Sequence, residues 1–364
     1  MTLYILANPT AGSHTAEHII FKIKESYPQL AVNIFMTVGP EDEKSQIEAI
    51  LKEFVSSEDQ LMILGGDGTL SKSLRFWPAS LPFAYYPTGS GNDFAKAMNI
   101  TSLYRSVDTI LEGKTSRIYV LNSSYGTVVN SMDFGFAAQV INGSTNSILK
   151  KILNKVKLGK LTYLFVGIKT LFSKQAINLE LTLDEKSYQL DNLFFISVAN
   201  SLYFGGGIMI WPTASAKKKE VDIVYFKNGN FYQRLQSLLA LLTKRHESSH
   251  TIQHLTGVDV VLKSKEKLLL QIDGETCTAN EVTLTYQERS MYLLGGSMYQ
   301  LGSFVEMKKP HACVIKSTGK KANKWEVIRL GADIKIRCSN CDHVVMMSRH
   351  DFERKMQQVL PSET

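Results

Sequence analysis

Three groups of residues in this chain have the types and spacing to do chemistry. Gly65-Gly66-Asp67-Gly68-Thr69 interrupts an apolar run, and Tyr86-Pro87-Thr88-Gly89-Ser90-Gly91-Asn92-Asp93-Phe94-Ala95 follows the next one. Glycine loops after strands let backbone N–H groups approach a phosphate closely. Two of them after consecutive parallel strands should converge on a polyphosphate, with Asp67 available to a magnesium ion or a proton. Taken alone, the first loop reads equally well as a tight strand-to-helix turn. The second group is Asp273-Gly274-Glu275, where an alternating strand over 267–272 would deliver Glu275 as a proton acceptor at a strand end. The third is His311-Ala312-Cys313 with Cys338-Ser339-Asn340-Cys341 and His343. A Cys-x-x-Cys turn sets two thiolates on one ion, and a second arm carrying Cys313 with His311 would complete a tetrahedron of the kind that holds Zn2+. His343 competes with His311 as the fourth ligand, and reduced thiols packed in a small fold are the alternative.

The elements that must position these residues follow from periodicity. Leu3–Ala7, Val32–Met36, Leu61–Leu64 and Phe83–Tyr86 are short apolar runs of buried-strand type. Between them, Ala16, Ile19, Ile20, Ile23 and then Ile47, Ile50, Leu51, Phe54 repeat at helical spacing. Strand, helix, strand, helix argues an α/β domain with a parallel sheet, whose ligands sit at the carboxyl ends of the strands. A helix is expected from about Ser71. After about Ile118 the period changes to two, as in 177–183 and 282–286, which predicts an antiparallel β-sandwich. Helical insertions are expected near 145–173 and 230–245. The expected division is 1–118, an α/β nucleotide domain; 119–297, a sandwich that takes the substrate; and 298–364, a small basic β-rich domain of zinc-ribbon type.

At 364 residues the chain exceeds one average domain. The net charge is +7, and from Met298 onward 12 Lys/Arg stand against 7 Asp/Glu, so most of the excess sits in the tail. Three of the four cysteines sit there too, and in a reducing compartment such a cluster suggests metal before disulfide. The N-terminal residues show no basic leader followed by a long apolar region, and no apolar stretch approaches the ~20 residues of a spanning helix. The expectation is a cytoplasmic protein whose membrane contact is peripheral.

Neither loop contains the Gly-x-x-x-x-Gly-Lys-Ser/Thr or Gly-x-Gly-x-x-Gly pattern. GGDGTL followed by PTGSGNDFAKA instead resembles the bacterial diacylglycerol kinase and related lipid kinase family, across roughly residues 3–295. Asn8-Pro9-Thr10-Ala11-Gly12 is similar to that family's first nucleotide loop and Thr37-Val38-Gly39-Pro40 to its second. The segments at 159–163, 200–207 and 273–275 follow in the family's order. The resemblance implies ATP- and Mg2+-dependent phosphorylation of a lipid hydroxyl, most simply diacylglycerol to phosphatidic acid, with another lipid alcohol as the alternative acceptor. It implies nucleotide contacts from Asn8, Pro9, Gly12, Thr37, Gly65, Gly66, Asp67, Gly68, Thr69, Ser90, Gly91, Asn92 and Asp93. Glu275 matches the family's proton acceptor; Asp67 is either magnesium-bound or itself the base.

Three positions depart from the family. Ser13-His14 follows Gly12 where relatives offer another Gly, and Ser71-Lys72 stands where relatives have Asn-Glu. Lys217-Lys218-Lys219 replaces an Asp-Asp-Gly associated with a structural magnesium, so loss of that ion is expected. These departures leave open a weakly catalytic, nucleotide-binding scaffold that works through its tail. Leu149, Ile152, Leu153 and Val156, with four lysines among them, make 149–160 a basic amphipathic segment suited to an anionic lipid surface. An ordinary core-packed helix with a wet basic side fits the same pattern. The tail resembles a small stand-alone bacterial family of uncharacterised function. Its charge is compatible with nucleic-acid binding, although a solvated basic surface explains it as well. A homodimer is left open.

Overall fold

In the computed structural model, the described residues are 1–12, 15–145, 176–246, 249–293, 299, 301–330, 333–348, 351–352 and 355–360. The chain divides by its contacts into two compact units, one of residues 1–100 with 117–292 and one of 101–116 with 293–364.

The first unit begins with Thr2–Ala7 (β1), Thr15–Ser26 (α1), Ala31–Met36 (β2), Glu43–Glu53 (α2), Gln60–Gly65 (β3), Asp67–Phe76 (α3) and Ala84–Pro87 (β4). Its strands form a parallel sheet in the order β2-β1-β3-β4. The inner strands β1 and β3 are buried almost along their whole length, which is why they read as unbroken apolar runs. The two helical sets fall on α1 and α2, burying Ala16, Ile20 and Ile23, and Ile47 and Ile50. The helix expected from Ser71 starts four residues earlier. Gly66 is its extended N-cap, and Asp67, Gly68 and Thr69 form its first turn. A glycine-rich stretch reads as loop by propensity; here the helix carries that cost where its free N–H groups are wanted.

After Asp93–Ala97 (α4) the same unit continues with Thr115–Asn122 (β5), of which the first two residues cluster with the second unit. Then come Thr127–Val128 (β6), Ser131–Gly135 (β7), Phe136–Thr145 (α5), Ile177–Leu183 (β8), Lys186–Ala199 (β9), Tyr203–Phe204 (β10) and Ile208–Met209 (β11). Val221–Lys227 (β12), Phe231–Leu242 (α6), Gln253–Gly257 (β13), Val260–Ile272 (β14) and Glu275–Tyr292 (β15) complete it. Nine of these strands hydrogen-bond in the order β13-β12-β9-β7-β14-β15-β5-β6, with β8 joining β14 and β9, and wrap a core of Leu, Ile and Val side chains. In β8 the alternation is plain: Ile177, Leu179, Leu181 and Leu183 are buried. The helix expected near 230–245 is α6; the one near 145–173 lies outside the described residues.

The second unit contains a helix at Leu103–Leu111 (α7) and five tail strands: Phe304–Met307 (β16), Trp325–Arg329 (β17), Asp333–Cys338 (β18), Val344–Ser348 (β19) and Met356–Val359 (β20). They pair antiparallel in the order β19-β18-β17-β16-β20 over a core of Val305, Trp325, Val327, Ile334, Ile336 and Phe352. Among the described residues no helix is long and apolar enough to cross a membrane.

Candidate active site

The site begins where β1, β3 and β4 end. Asn8, just past β1, donates its backbone N–H to the Leu64 carbonyl at 2.9 Å and its side-chain amide to Thr69 Oγ1 at 3.1 Å. Its Oδ1 accepts from the Thr10 amide and hydroxyl, which shapes the turn containing Pro9. Thr37, buried at the end of β2, donates its N–H to the Ala7 carbonyl at 2.9 Å. Gly12 has φ +62°, and a Cβ there would lie 2.3 Å from the Thr88 carbonyl. Only glycine lets this loop lie against the second one.

The two glycine loops meet backbone to backbone. A Cβ on Gly89 would fall 2.6 Å from Gly66 Cα, and the Thr88 N–H bonds the Gly65 carbonyl at 2.9 Å. Asp67 ties the loops together: its carboxylate accepts the N–H groups of Asp93 and Phe94, both at 2.9 Å, and so caps α4. Asn92 turns the chain there in the left-handed conformation, and Ser90 stands exposed at the tip beside Gly91. Asp93 is buried. Its carboxylate accepts from the Gly206 N–H at 2.7 Å and pairs with Lys96 at 3.2 Å, so the β10–β11 loop also closes on this turn. Burial holds Asp93 above the usual carboxylate range, against the Gly206 and Lys96 contacts and with the nearby Asp67 charge adding to the rise.

Glu275 arrives from the sandwich. Asp273 and Gly274 both have positive φ, +47° and +96°, as a two-residue hairpin turn requires, so β14 hands directly to β15. The Asp273 carboxylate accepts the N–H groups of Val129, Asn130 and Ser131 at 2.7–3.2 Å, fixing the turn against the segment between β6 and β7. Desolvation pushes the partly exposed Asp273 up to about 8 despite those donors, and Asp133, which is wholly buried, up to about 7. Glu275 itself is exposed and sits over the first turn of α3, its Oε1 3.6 Å from where a Cβ on Gly68 would be. Lys72, one turn further along α3, is ion-paired with Glu275 at 3.1 Å and with Glu41 at 2.9 Å. Burial lowers the lysine, but the two carboxylates outweigh it and leave the ammonium above its ordinary value.

All the residues read from the sequence as one nucleotide and proton-acceptor site therefore lie on one set of touching loops. Lys72 was visible in the sequence only as a departure from the family, and Glu41 carried no signal because its partner lies 31 positions away. The Lys217–Lys219 run is exposed; Lys218 places its Nζ 3.2 Å from the Thr213 carbonyl oxygen. The amphipathic 149–160 segment and Ser13-His14 lie outside the described residues.

The arrangement can hold a polyanion. α3 presents its N-terminus with no side-chain cap, and among the described residues the buried Thr88 hydroxyl, which can donate, has no hydrogen-bond partner. A parallel sheet with glycine loops at its carboxyl edge, completed by an acidic hairpin from an antiparallel domain, is the two-domain arrangement found among diacylglycerol kinase-like proteins. Residues 2–123 match the diacylglycerol kinase catalytic domain and 135–294 the YegS C-terminal NAD kinase beta sandwich-like domain. Over these two domains the chain belongs to the diacylglycerol kinase-like lipid kinase family. Residues 299–360 match a bacterial protein family of unknown function, DUF951.

Among curated proteins, the chain is similar to "Putative lipid kinase YtlR" of Bacillus subtilis, 22% identical over 293 residues, covering 75% of this chain and 92% of that protein. It is also similar to "Putative lipid kinase SAR0780" of Staphylococcus aureus, 24% identical over 253 residues, covering 67% and 79%. Among solved structures, a diacylglycerol kinase from Bacillus anthracis superposes with a TM-score of 0.63 at 18% identity, covering 80% of this chain and 97% of that one, a likeness of fold.

Proposed function

We propose that the protein transfers the γ-phosphoryl group of ATP to a lipid hydroxyl, with diacylglycerol as the acceptor and phosphatidic acid as the product. The observation that carries this reading is the direct contact of the two glycine loops beneath Glu275. The lipid oxygen would form a bond to the γ-phosphorus as the β–γ bridging P–O bond breaks, ADP leaves, and the hydroxyl proton passes to the Glu275 carboxylate. Such transfers depend mainly on positioning and charge stabilisation. Lys72 holds the acceptor carboxylate over the helix N-terminus, and the α3 amides face the incoming phosphates. Magnesium, when bound, would neutralise phosphate charge. Asp67 and, with it, Asp93 would hold that ion, since an oxygen that accepts one hydrogen bond keeps a further lone pair.

A lipid acceptor must be drawn from a bilayer. α6 buries Ser237, Ala240 and Leu241 and exposes Tyr232, Leu239 and Leu242 on the opposite side, with exposed Lys244 and Arg245 following. An apolar row ending in cations suits an anionic membrane surface, and we infer that α6 contributes to peripheral docking.

The test is ATP-dependent phosphorylation of a lipid panel in mixed micelles. Glu275→Gln should lower turnover by about 10²-fold or more while leaving ATP binding intact. Asp67→Ala should lose both, because it removes the cap that ties the loops together. Full turnover in Glu275→Gln would remove Glu275 from the chemistry. ATP binding without transfer to any lipid by the wild type would favour the scaffold reading.

A further inference from the structure

The tail carries a second centre that the kinase reading does not use. His311 Nε2 and the Sγ atoms of Cys313, Cys338 and Cys341 all lie within 4.8 Å of one another. Cys313 and Cys338 are 3.7 Å apart, sulfur to sulfur, and Cys341 Sγ is 3.2 Å from His311 Nε2. A tetrahedral zinc ion with Zn–S of about 2.3 Å and Zn–N of about 2.0 Å has S···S edges of about 3.7 Å and S···N edges of about 3.5 Å. A disulfide would bring two sulfurs to about 2.05 Å, and all four cysteines of the chain are free thiols. We propose that His311, Cys313, Cys338 and Cys341 form a closed Cys3His zinc site that holds the tail domain together.

The backbone builds both arms of the site. On one, the His311 N–H bonds the Ala322 carbonyl at 2.8 Å and the Ala322 N–H bonds the Cys313 carbonyl at 2.9 Å, fixing the first two ligands on one short ladder. On the other, the chain turns tightly after β18: the Cys338 N–H bonds the His343 carbonyl at 2.9 Å, and Asp342 takes a left-handed φ of +57°. Asn340, between the two knuckle cysteines, donates to Cys313 Sγ at 3.4 Å and to the Val314 carbonyl at 3.2 Å. An amide donor to a ligating sulfur is the kind of outer contact that orients metal ligands.

The fourth ligand, which the spacing left open between two histidines, is His311. His343 stacks on its ring at 5.2 Å between centroids and lies outside the group of four, while Trp325 meets the His311 ring edge-on at 5.0 Å. Four protein ligands leave no open position, which marks a structural site and not a catalytic one. Cys338 is also part of the hydrophobic core that the five strands share. A domain of roughly 60 residues buries too little apolar surface to be secure alone, and a metal clip across its loops is a common remedy.

Full-length protein produced with zinc in the medium should carry one zinc ion per chain by elemental analysis after gel filtration. His343→Ala should keep it; Cys313→Ser, Cys338→Ser and Cys341→Ser should lose it. Since a ligand variant could lose zinc merely by misfolding, His311→Cys provides the complementary check: it should retain zinc as a four-cysteine site. Cobalt replacing zinc should show thiolate-to-metal charge transfer and tetrahedral ligand-field bands, unchanged in His343→Ala and altered in His311→Cys. A zinc-free chain whose thiols react equally with and without chelator, a Cys313–Cys338 disulfide in the purified protein, iron in place of zinc, or loss of zinc in His343→Ala would each overturn the assignment.

Discussion

Lys72 stands between two carboxylates, one from the loop after β2 and one from the sandwich hairpin, and it sits on α3, whose uncapped N-terminus is the proposed phosphate site. Removing it frees Glu275 to rotate into solvent. Lys72→Met should lower kcat by roughly tenfold with little change in the KM for lipid, and Lys72→Arg should recover most of the loss. A rise in kcat would mean that the pair masks the carboxylate. Asp133 and Asp273 make a different prediction. Asp133 is wholly buried and Asp273 partly so, and desolvation raises them to about 7 and about 8 in the folded chain, against about 4 when unfolded. The folded state therefore keeps protons that the unfolded state has released. Their stabilising contribution is complete below about pH 4 and is lost as pH rises toward 8, at up to about 1.4 kcal/mol per pH unit for each proton. Thermal unfolding should show a midpoint that falls between pH 5 and 8, and Asp133→Asn should flatten the fall. The sequence shows the Asp273-Gly274-Glu275 triplet but not this division of labour. That Asp273 anchors while Glu275 protrudes depends on N–H donors from 129–131, more than 140 positions away.

At the level of elements, the four parallel strands and two of their helices are legible because burial on both faces and helical spacing leave strong periodic signals. The start of α3 is not, because glycine and aspartate look like a turn until a distant segment, here the α4 amides, supplies the reason for their conformation. The tail site divides the same way: Cys-x-x-Cys is readable, whereas the choice of His311 over His343 rests on which strand ladder carries it. α6 gives the testable case. Its inward residues are those expected of a packed helix, and its exposed side carries Tyr232, Leu239 and Leu242 beside Gln233 and Gln236. Leu239→Asp with Leu242→Asp should leave turnover on a water-soluble acceptor unchanged while reducing sedimentation with anionic vesicles severalfold. Equal sedimentation would assign that face no membrane role.

At the level of the molecule, each compact unit has its own core and should report its own ligands. Calorimetry of the full chain should resolve two transitions. Nucleotide at a hundredfold excess over its Kd should stabilise one unit by about 2.7 kcal/mol and raise its transition temperature, and a zinc chelator should lower the other. A single transition moved by both additions would show the units to be energetically inseparable. Within the first unit, β15 runs from Glu275 to Tyr292, and at its far end Tyr292 donates its N–H to the Phe83 carbonyl while Phe83 donates to Ser290. Arg289, buried beside it, donates to the carbonyls of Leu74 and Trp77 at the end of α3. One continuous ribbon thus carries Glu275, the proposed proton acceptor, at its tip and is bolted at its base to the parallel-sheet domain. A hinge between the halves would have to break those bonds, so on the proposed reading the cleft would stay fixed and the lipid hydroxyl would move into it.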